Sequence, residues 1–430
     1  MNSNERLLNL INKLKNNNPY FKEYFKDFDI NLENIESIYD SLPIINKAEV
    51  EHNLREYIVS DFKSELGQDE LLKLFHDMSD ISWNHDRTIV DGNKKWILET
   101  TTGTTGKPFT VLKNQIEKFT ESKYLMKCRR NVSDEILWDN GFLLLEPRDE
   151  YLKKCFRDVN KKSHFNIMKH LGESEAKWLL ATALQIRKLF DSILENNYGE
   201  QISRIPIKLV ETTSQKLFPD EIESMKKVFK SATFLSQYGC REFWNIAYEC
   251  KCGKMHVNND YLRVDLIDDH GKIIRDEGIV GEVIVTSYAH LSMPFFKYYL
   301  GDRGKMHYGE CECGNCAPWI ELQPGRDKQK LVNTDYYGSE VYRKILRYIN
   351  FHMSYIDIQK IKIIQTEDYK LVVYAVVNEQ YKKKFEDEFI KNSIYNIQGF
   401  NKFNVEFVYE YPFIDDDRAL KNEIFENKLL

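Results

Sequence analysis

The stretch that decides the reading runs from Glu99 to Lys113, ETTTGTTGKPFTVLK. Gly103 and Gly106, the hydroxyls of Thr101, Thr102, Thr104 and Thr105, and one cation, Lys107, stand there in consecutive positions. Glycines let the backbone approach a ligand closely, threonine hydroxyls and backbone amides donate to phosphate oxygens, and a lysine offsets negative charge. A Walker loop needs a glycine where Thr101 stands, so that pattern is excluded. The plain alternative is a polar turn between two strands, and the rest of the chain has to decide.

Working outward, the chain of 430 residues is long enough for two or three lobes, and its 42% hydrophobic and 13% aromatic content is enough to bury sizeable cores. A net charge of -6, with both signs interspersed, disfavours nonspecific nucleic-acid binding, which needs a concentrated basic surface. Small anionic ligands remain open, since they need only local positive charge. No apolar run is long enough to cross a bilayer, so no membrane partner is expected. The opening MNSNERLLNLINKLKNNNPY is polar and amphipathic, unlike a signal peptide, and predicts a cytoplasmic location.

In that opening Leu7, Leu10, Ile11 and Leu14 fall on one helical face that Pro19 ends. Ile186, Leu189, Phe190 and Ile193 make a second stripe, and GFLLLEP, PIKLVET and GEVIVTS read as buried strands. Alternating helices and strands predict an α/β fold: a large N-terminal layered α/β domain over residues 1–326. Beyond Arg326 the texture changes. SEVYRKILRYI reads as a helix, IQKIKII and YKLVVYAVV as strands paired around the turn QTED, YKKKFEDEFIKN as a helix and KFNVEFVYE as a last strand. Residues 327–430 are therefore expected to form a small α+β domain.

TTGTTGKP resembles the phosphate loop, commonly written SSGTTGKP, of the adenylate-forming superfamily of acyl-CoA synthetases, peptide-synthetase adenylation domains and luciferases. Further motifs follow in the family's order. QYGCREF resembles YGxTE, with Tyr238, Gly239 and Glu242 matching; GIVGEVIVTS is similar to the GExxxT strand; YLGDRG resembles the TGD segment through Asp302; and PGRDK matches the GRxD/K element through Arg326. NNNPYFKEYF, SLPIINKAEV, MPFFKYYLGD and CECGNCAP resemble the phenylacetate–CoA ligase branch and its capsule-biosynthesis-like relatives.

The resemblance implies an AMP-forming acid ligase, which joins a small-molecule carboxylate to the α-phosphate of ATP, expels pyrophosphate and passes the acyl group on, to coenzyme A first among acceptors. Thr102, Gly103, Thr104, Thr105, Gly106 and Lys107 would hold the β- and γ-phosphates. Glu242 would bind Mg²⁺, a hard cation suited to carboxylate oxygens, and Asp302, an acceptor-only carboxylate, suits both ribose hydroxyls. Arg326 would bond the ribose or phosphate, Tyr238 pack beside the nucleotide with Gly239, and Gln237 reach adenine N6. The small domain would rotate as a mobile lid about a hinge at Lys328. Departures are visible too. TSQKL replaces SGEPL, leaving Ser214 and Gln215 at the adenine, and Lys297 replaces the branch's arginine, losing its bidentate fork. The last motif, a Gly-Lys, appears as RALKNEIF, with Leu420 for glycine and Lys421 for the catalytic lysine.

Five of the eight cysteines lie in ECKCGK and ECECGNC. In a reducing compartment such clusters point to metal, and two CxCG knuckles with a histidine fit tetrahedral Zn²⁺. The branch's EC…H…CxCG pattern maps onto Cys250, His256, Cys311 and Cys313; Cys252 competes for the place of His256, and Cys316 is the spare. No vacant position is required by the chemistry, so the expected metal is structural. A carrier protein or an amine as acceptor, and a non-catalytic zinc-stabilised nucleotide-binding module, are the alternative functions.

Overall fold

The computed structural model describes residues 2–82, 87–100, 109–144, 164–213, 217, 219–323, 331–333, 358–394, 400–410, 425–427 and 429. The chain divides into two compact units. The first holds the described residues up to Leu300 together with Lys305–Glu321, and the second holds Gly301–Gly304 and those from Leu322 onwards.

In the first unit, the N-terminal helix Ser3–Asn17 opens with a capping box, Asn2 and Glu5 each satisfying the other's backbone N–H. Its stripe of Leu7, Leu10, Ile11 and Leu14 is buried as expected. Pro19 does more than end this helix: with its fixed φ and missing N–H it starts the next, Pro19–Tyr24. Asn18, between them, accepts from the Phe21 N–H and donates to the Tyr57 carbonyl.

Strands β1 (Arg87–Asp91), β2 (Lys94–Thr100) and β3 (Thr110–Asn114) form an antiparallel sheet in that order. Thr100 pairs with Thr110, so the glycine/threonine segment is the connection of the β2–β3 hairpin. A larger sheet comprises β4 (Gly141–Leu143), β5 (Trp178–Thr182), β6 (Leu209–Thr213), β7 (Thr233–Tyr238), β8 (Ala247–Glu249), β9 (Met255–Val257), β10 (Leu262–Ile267), β11 (Ile273–Ile274), β12 (Val280–Ser287), β13 (Tyr298–His307) and β14 (Trp319–Leu322). Its order is β11-β10-β12-β13-β14-β9-β8-β7-β6-β5-β4. Strands β4 to β7 are parallel, and the direction reverses between β7 and β8.

The parallel strands are apolar on both faces, as strands covered twice must be. On one face Phe142, Leu179, Ala181 and Val210 pack with Ile186, Leu189, Phe190 and Ile193 of the helix Ala183–Glu195. On the other, Leu143, Trp178, Leu180 and Leu209 pack with Leu125 and Met126 of the helix Gln115–Arg130. A Cβ on Gly141 would lie 2.2 Å from the Trp178 ring, so only glycine fits there.

Lys297, where the branch has arginine, is buried. Its ammonium donates to the carbonyls of Tyr39, Asp40 and Leu42 at 2.8, 3.2 and 2.6 Å, tying the end of the helix Ile35–Ser41 to β13. All three donors of an ammonium are used, whereas a planar guanidinium would not fit the same tripod. Burial lowers this lysine to about 8.

In the second unit β15 (Ile358–Glu367) and β16 (Lys370–Val377) form an antiparallel hairpin, flanked by parallel β17 (Asn404–Val408) and β18 (Phe425–Asn427). The pairing of Glu367 with Lys370 confines the turn to Asp368 and Tyr369, so most of the expected QTED turn is strand. Phe385 and Phe389 of the helix Lys382–Ile394 pack on Phe407 of β17. The expected helix SEVYRKILRYI lies outside the described residues.

Candidate functional site

In open α/β sheets ligands bind beyond the carboxyl ends of the strands, where the strand order switches. Here the order runs through β7 without such a switch and only the direction changes: β7, ending in Gln237 and Tyr238, is the last of the parallel strands, and its carboxyl end is the corresponding place. The chain then turns tightly. The Cys240 carbonyl accepts from both the Phe243 and Trp244 N–H groups, and the Ile246 N–H returns to the Tyr238 carbonyl at 2.8 Å. A Cβ on Gly239 would fall 1.8 Å from the Trp244 carbonyl oxygen, so the turn requires glycine there. Trp244 itself has φ 54°, a conformation a bulky residue adopts only when its surroundings hold it.

Two groups in this turn are suited to a ligand. Gln237 has a buried side-chain oxygen with no hydrogen-bond partner among the described residues, an acceptor waiting for a donor such as an exocyclic amine. Glu242 is only 9% exposed, and among the described residues its carboxylate has no hydrogen bond or ion pair. A nearly buried charge in that state needs a counter-charge, which a Mg²⁺ ion would supply, so the residue fits the metal.

Around the turn lies a buried ionic network that periodicity does not reveal. Lys113 on β3 bonds Glu121 at 2.6 Å, Glu99 at 2.7 Å and the Arg241 carbonyl at 2.7 Å. Lys118 pairs with Glu99 and sits 3.5 Å from the centre of the Trp244 ring, whose Nε1–H donates to Glu99 at 3.1 Å. Glu121 also meets His290 Nε2 at 2.9 Å, and Ser287 Oγ meets His290 Nδ1 at 2.6 Å. Burial alone would raise the Glu99 carboxyl, but Lys113 and Lys118 outweigh it and hold it well below its ordinary range. The helix Gln115–Arg130 is inverted to make this possible: Glu117, Lys118, Glu121 and Arg129 face inward, while Ile116 and Phe119 are 77% and 64% exposed.

The two cysteine knuckles come together. Cys250, His256, Cys311 and Cys313 present ligand atoms all within 4.8 Å of one another. In each knuckle the first cysteine carbonyl accepts from the glycine three residues on, Gly253 or Gly314, both at positive φ. Cys250 and Cys311 sulfurs are 3.9 Å apart, and Cys313 Sγ lies 3.5 Å from His256 Nε2. Tetrahedral zinc with ordinary bond lengths requires edges of about 3.8 Å between sulfurs and about 3.6 Å from sulfur to nitrogen. His256 Nδ1 bonds the Ala317 carbonyl at 2.8 Å, which fixes the proton there and leaves Nε2 as the ligand. The Cys313 backbone N–H leads in lowering Cys311 to about 6, while burial raises Cys313 to about 11. Of the five candidates Cys252 is the one left out of the quartet; it is exposed, as is Cys316.

The other sequence candidates are not gathered here. Asp302 is on β13, partly exposed, in the segment grouped with the second unit. Thr102, Gly103, Thr104, Thr105, Gly106, Lys107, Ser214, Gln215, Arg326, Lys328 and Lys421 lie outside the described residues.

By sequence the chain matches no family model and no curated protein. By structure it aligns with 2-hydroxyisobutyryl-CoA ligase in the postadenylation state, in complex with 2-HIB-AMP, over 94% of this chain and 84% of that one, with TM-score 0.65 and 11% identity. The chain has the fold of adenylate-forming ligases. An open conformation of the same enzyme, holding 2-HIB-AMP and CoA, aligns over 96% of this chain and 89% of that one at TM-score 0.55 and 12% identity. The ATP-bound RpMatB-BxBclM chimera B1 aligns over 73% and 64% at TM-score 0.51 and 14% identity. Within this fold, the turn after β7 is the described part of the candidate site. No helix of the described residues is long and apolar enough to cross a membrane.

Proposed function

We propose that this chain activates a small carboxylic acid with ATP, forming an acyl-adenylate and pyrophosphate, and then transfers the acyl group to coenzyme A. The observation that carries the reading is the carboxyl end of β7, the last of the parallel strands, where the Glu242 carboxylate and Gln237 oxygen have no partner among the described residues. The likeness to a CoA ligase holding an acyl-adenylate supports it.

Charge accumulates on the phosphorus during carboxylate attack, and fixed cations and hydrogen-bond donors stabilise it best. Thr102, Thr104, Thr105 and Lys107, with backbone amides at Gly103 and Gly106, hold the β- and γ-phosphates. Glu242 holds Mg²⁺, which offsets phosphate charge. Gln237 accepts from adenine N6, Tyr238 and Gly239 border the base with Ser214, Asp302 takes the ribose hydroxyls, and Arg326 reaches ribose or phosphate. Lys421, from a lid of residues 327–430 hinged at Lys328, neutralises carboxylate and α-phosphate. Cys250, His256, Cys311 and Cys313 hold a structural zinc. Motif likeness favours the phenylacetate–CoA ligase branch.

Mass spectrometry of the protein with ATP and single carboxylates tests this: an acyl-AMP is expected, discharged by coenzyme A. Discharge only by a carrier protein or an amine would replace the acceptor, and AMP without acyl-AMP or acyl product would overturn the reading.

A further inference from the structure

We propose that Glu99, Lys113, Lys118 and Trp244 form a buried clamp that fixes the position of the Glu242 carboxylate. The proposal rests on the adenylation reading and deepens it. Glu99 is the last residue but one of β2, and Lys113 is on β3, so both belong to one antiparallel hairpin. In the antiparallel register Glu99 opposes Val111 and Ile97 opposes Lys113, which makes Glu99 and Lys113 diagonal neighbours on one face.

From this hairpin two bonds reach the turn that carries Glu242, one on each side of it. Lys113 holds the Arg241 carbonyl at 2.7 Å, and Glu99 holds the Trp244 indole at 3.1 Å. Lys118 closes the arrangement, paired with Glu99 and seated on the Trp244 ring. Arg241 and Trp244 bracket Glu242, so fixing both leaves that carboxylate little freedom. Tyr261 secures the same turn from the other side, donating to the Phe243 carbonyl at 2.9 Å.

A core ion pair alone needs two charges; this one uses four, with Glu99, Lys113 and Glu121 at 0% exposure. Burying so many charges is costly, and apolar residues of similar volume often stabilise as well or better. What apolar residues cannot do is hold a carbonyl and an indole N–H at fixed distances. The left-handed Trp244 backbone has the same explanation, since its indole must point back to Glu99. These are positioning residues, acting on the site through Glu242.

The test measures Mg²⁺ half-saturation in ATP–pyrophosphate exchange for wild type, Glu99→Gln and Trp244→Phe. It is paired with hydrogen-exchange mass spectrometry of the peptide containing residues 239–245. Trp244→Phe keeps a ring under Lys118 and loses only the bond to Glu99, so it decides the matter if Glu99→Gln does not fold. The expected result is a tenfold or greater rise in Mg²⁺ half-saturation for Glu99→Gln and a smaller one for Trp244→Phe. Both should show faster exchange in the peptide, and the two effects should be less than additive in the double variant, since both changes weaken the same Glu99–Trp244 contact. Folded variants with wild-type Mg²⁺ half-saturation overturn the clamp while leaving the adenylation reading intact. A wild type with no exchange for any carboxylate overturns that reading and the clamp's purpose with it.

Discussion

Replacing Cys311 by serine is expected to remove the metal and lower the melting temperature by about as much as chelation lowers that of the wild type. The two measured edges of the ligand tetrahedron, 3.9 Å and 3.5 Å, lie within about 0.1 Å of those that zinc requires. With all four ligand atoms within 4.8 Å of one another, the ion has to draw the widest pair together by at most about 1 Å, and the rest of its binding energy goes to the folded state. Free zinc at a thousand times its dissociation constant adds about 4 kcal/mol. The first unit has about 300 residues and a melting entropy of about 2.1 cal/mol/K per residue, so the corresponding shift is about 6 °C. A serine hydroxyl is a poor replacement for a thiolate and forfeits most of that. Scanning calorimetry with metal analysis, with and without chelator, is the assay. Wild type should carry about one zinc per chain and lose about 6 °C to the chelator, Cys311→Ser should start low and not respond, and Cys252→Ser should behave as wild type. Freshly purified protein without zinc, or an equal chelator response in Cys311→Ser, would refute the reasoning.

Acid should act through Glu99. Its carboxyl is held below the ordinary 4.5, so the stabilisation is present above about pH 4.5 and is lost as the pH falls towards the folded-state value. Urea titrations should show a steeper loss of stability between about pH 5 and pH 3 for wild type than for Glu99→Gln, and equal slopes contradict this. Asp302→Ala should weaken ATP binding by about 2 kcal/mol, roughly thirtyfold, by calorimetry, the scale for losing charge-assisted hydrogen bonds. An unchanged affinity in the folded variant removes Asp302 from the nucleotide site. Lys421→Ala should slow adenylate formation by about two orders of magnitude or more while sparing acyl transfer from a supplied adenylate, the scale for losing one transition-state charge contact. Equal loss of both half-reactions points to another residue.

Much of this architecture was legible because some residues have only one use. The stripe of Leu7, Leu10, Ile11 and Leu14 and that of Ile186, Leu189, Phe190 and Ile193 are simple helical faces, and both are buried. The described strands Gly141–Leu143, Leu209–Thr213 and Val280–Ser287, within GFLLLEP, PIKLVET and GEVIVTS, carry runs of buried residues, as the apolar stretches announce. The cysteine knuckles were readable as a pattern, but His256 over Cys252 was decided by the pairing of β9 with β14, which a linear sequence does not display.

The ionic network was not legible, for a definite reason. Periodicity assumes that charges face water, and in KNQIEKFTESK it assigns Lys118 and Glu121 to the outside and Ile116 and Phe119 to the inside, the reverse of what the structure has. The partners that make those charges tolerable are Glu99 and Lys113, on neighbouring strands, and His290, more than a hundred residues away. Pro19 is a stop signal for one helix and equally a start signal for the next, and only the cap made by Asn18 shows which follows. The hairpin turns later than the polar QTED suggests because Gln365 is buried and bonds the Val332 backbone, an inward role that a polar residue before a turn does not announce.

ATP–pyrophosphate exchange across a panel of aliphatic, aryl and arylacetic carboxylates measures the proposed chemistry most directly. At least one acid should give Mg²⁺-dependent exchange well above the acid-free rate, and Glu242→Gln should abolish it. Folded, zinc-loaded protein that exchanges pyrophosphate with no acid in the panel would contradict the proposal that this fold carries out adenylation.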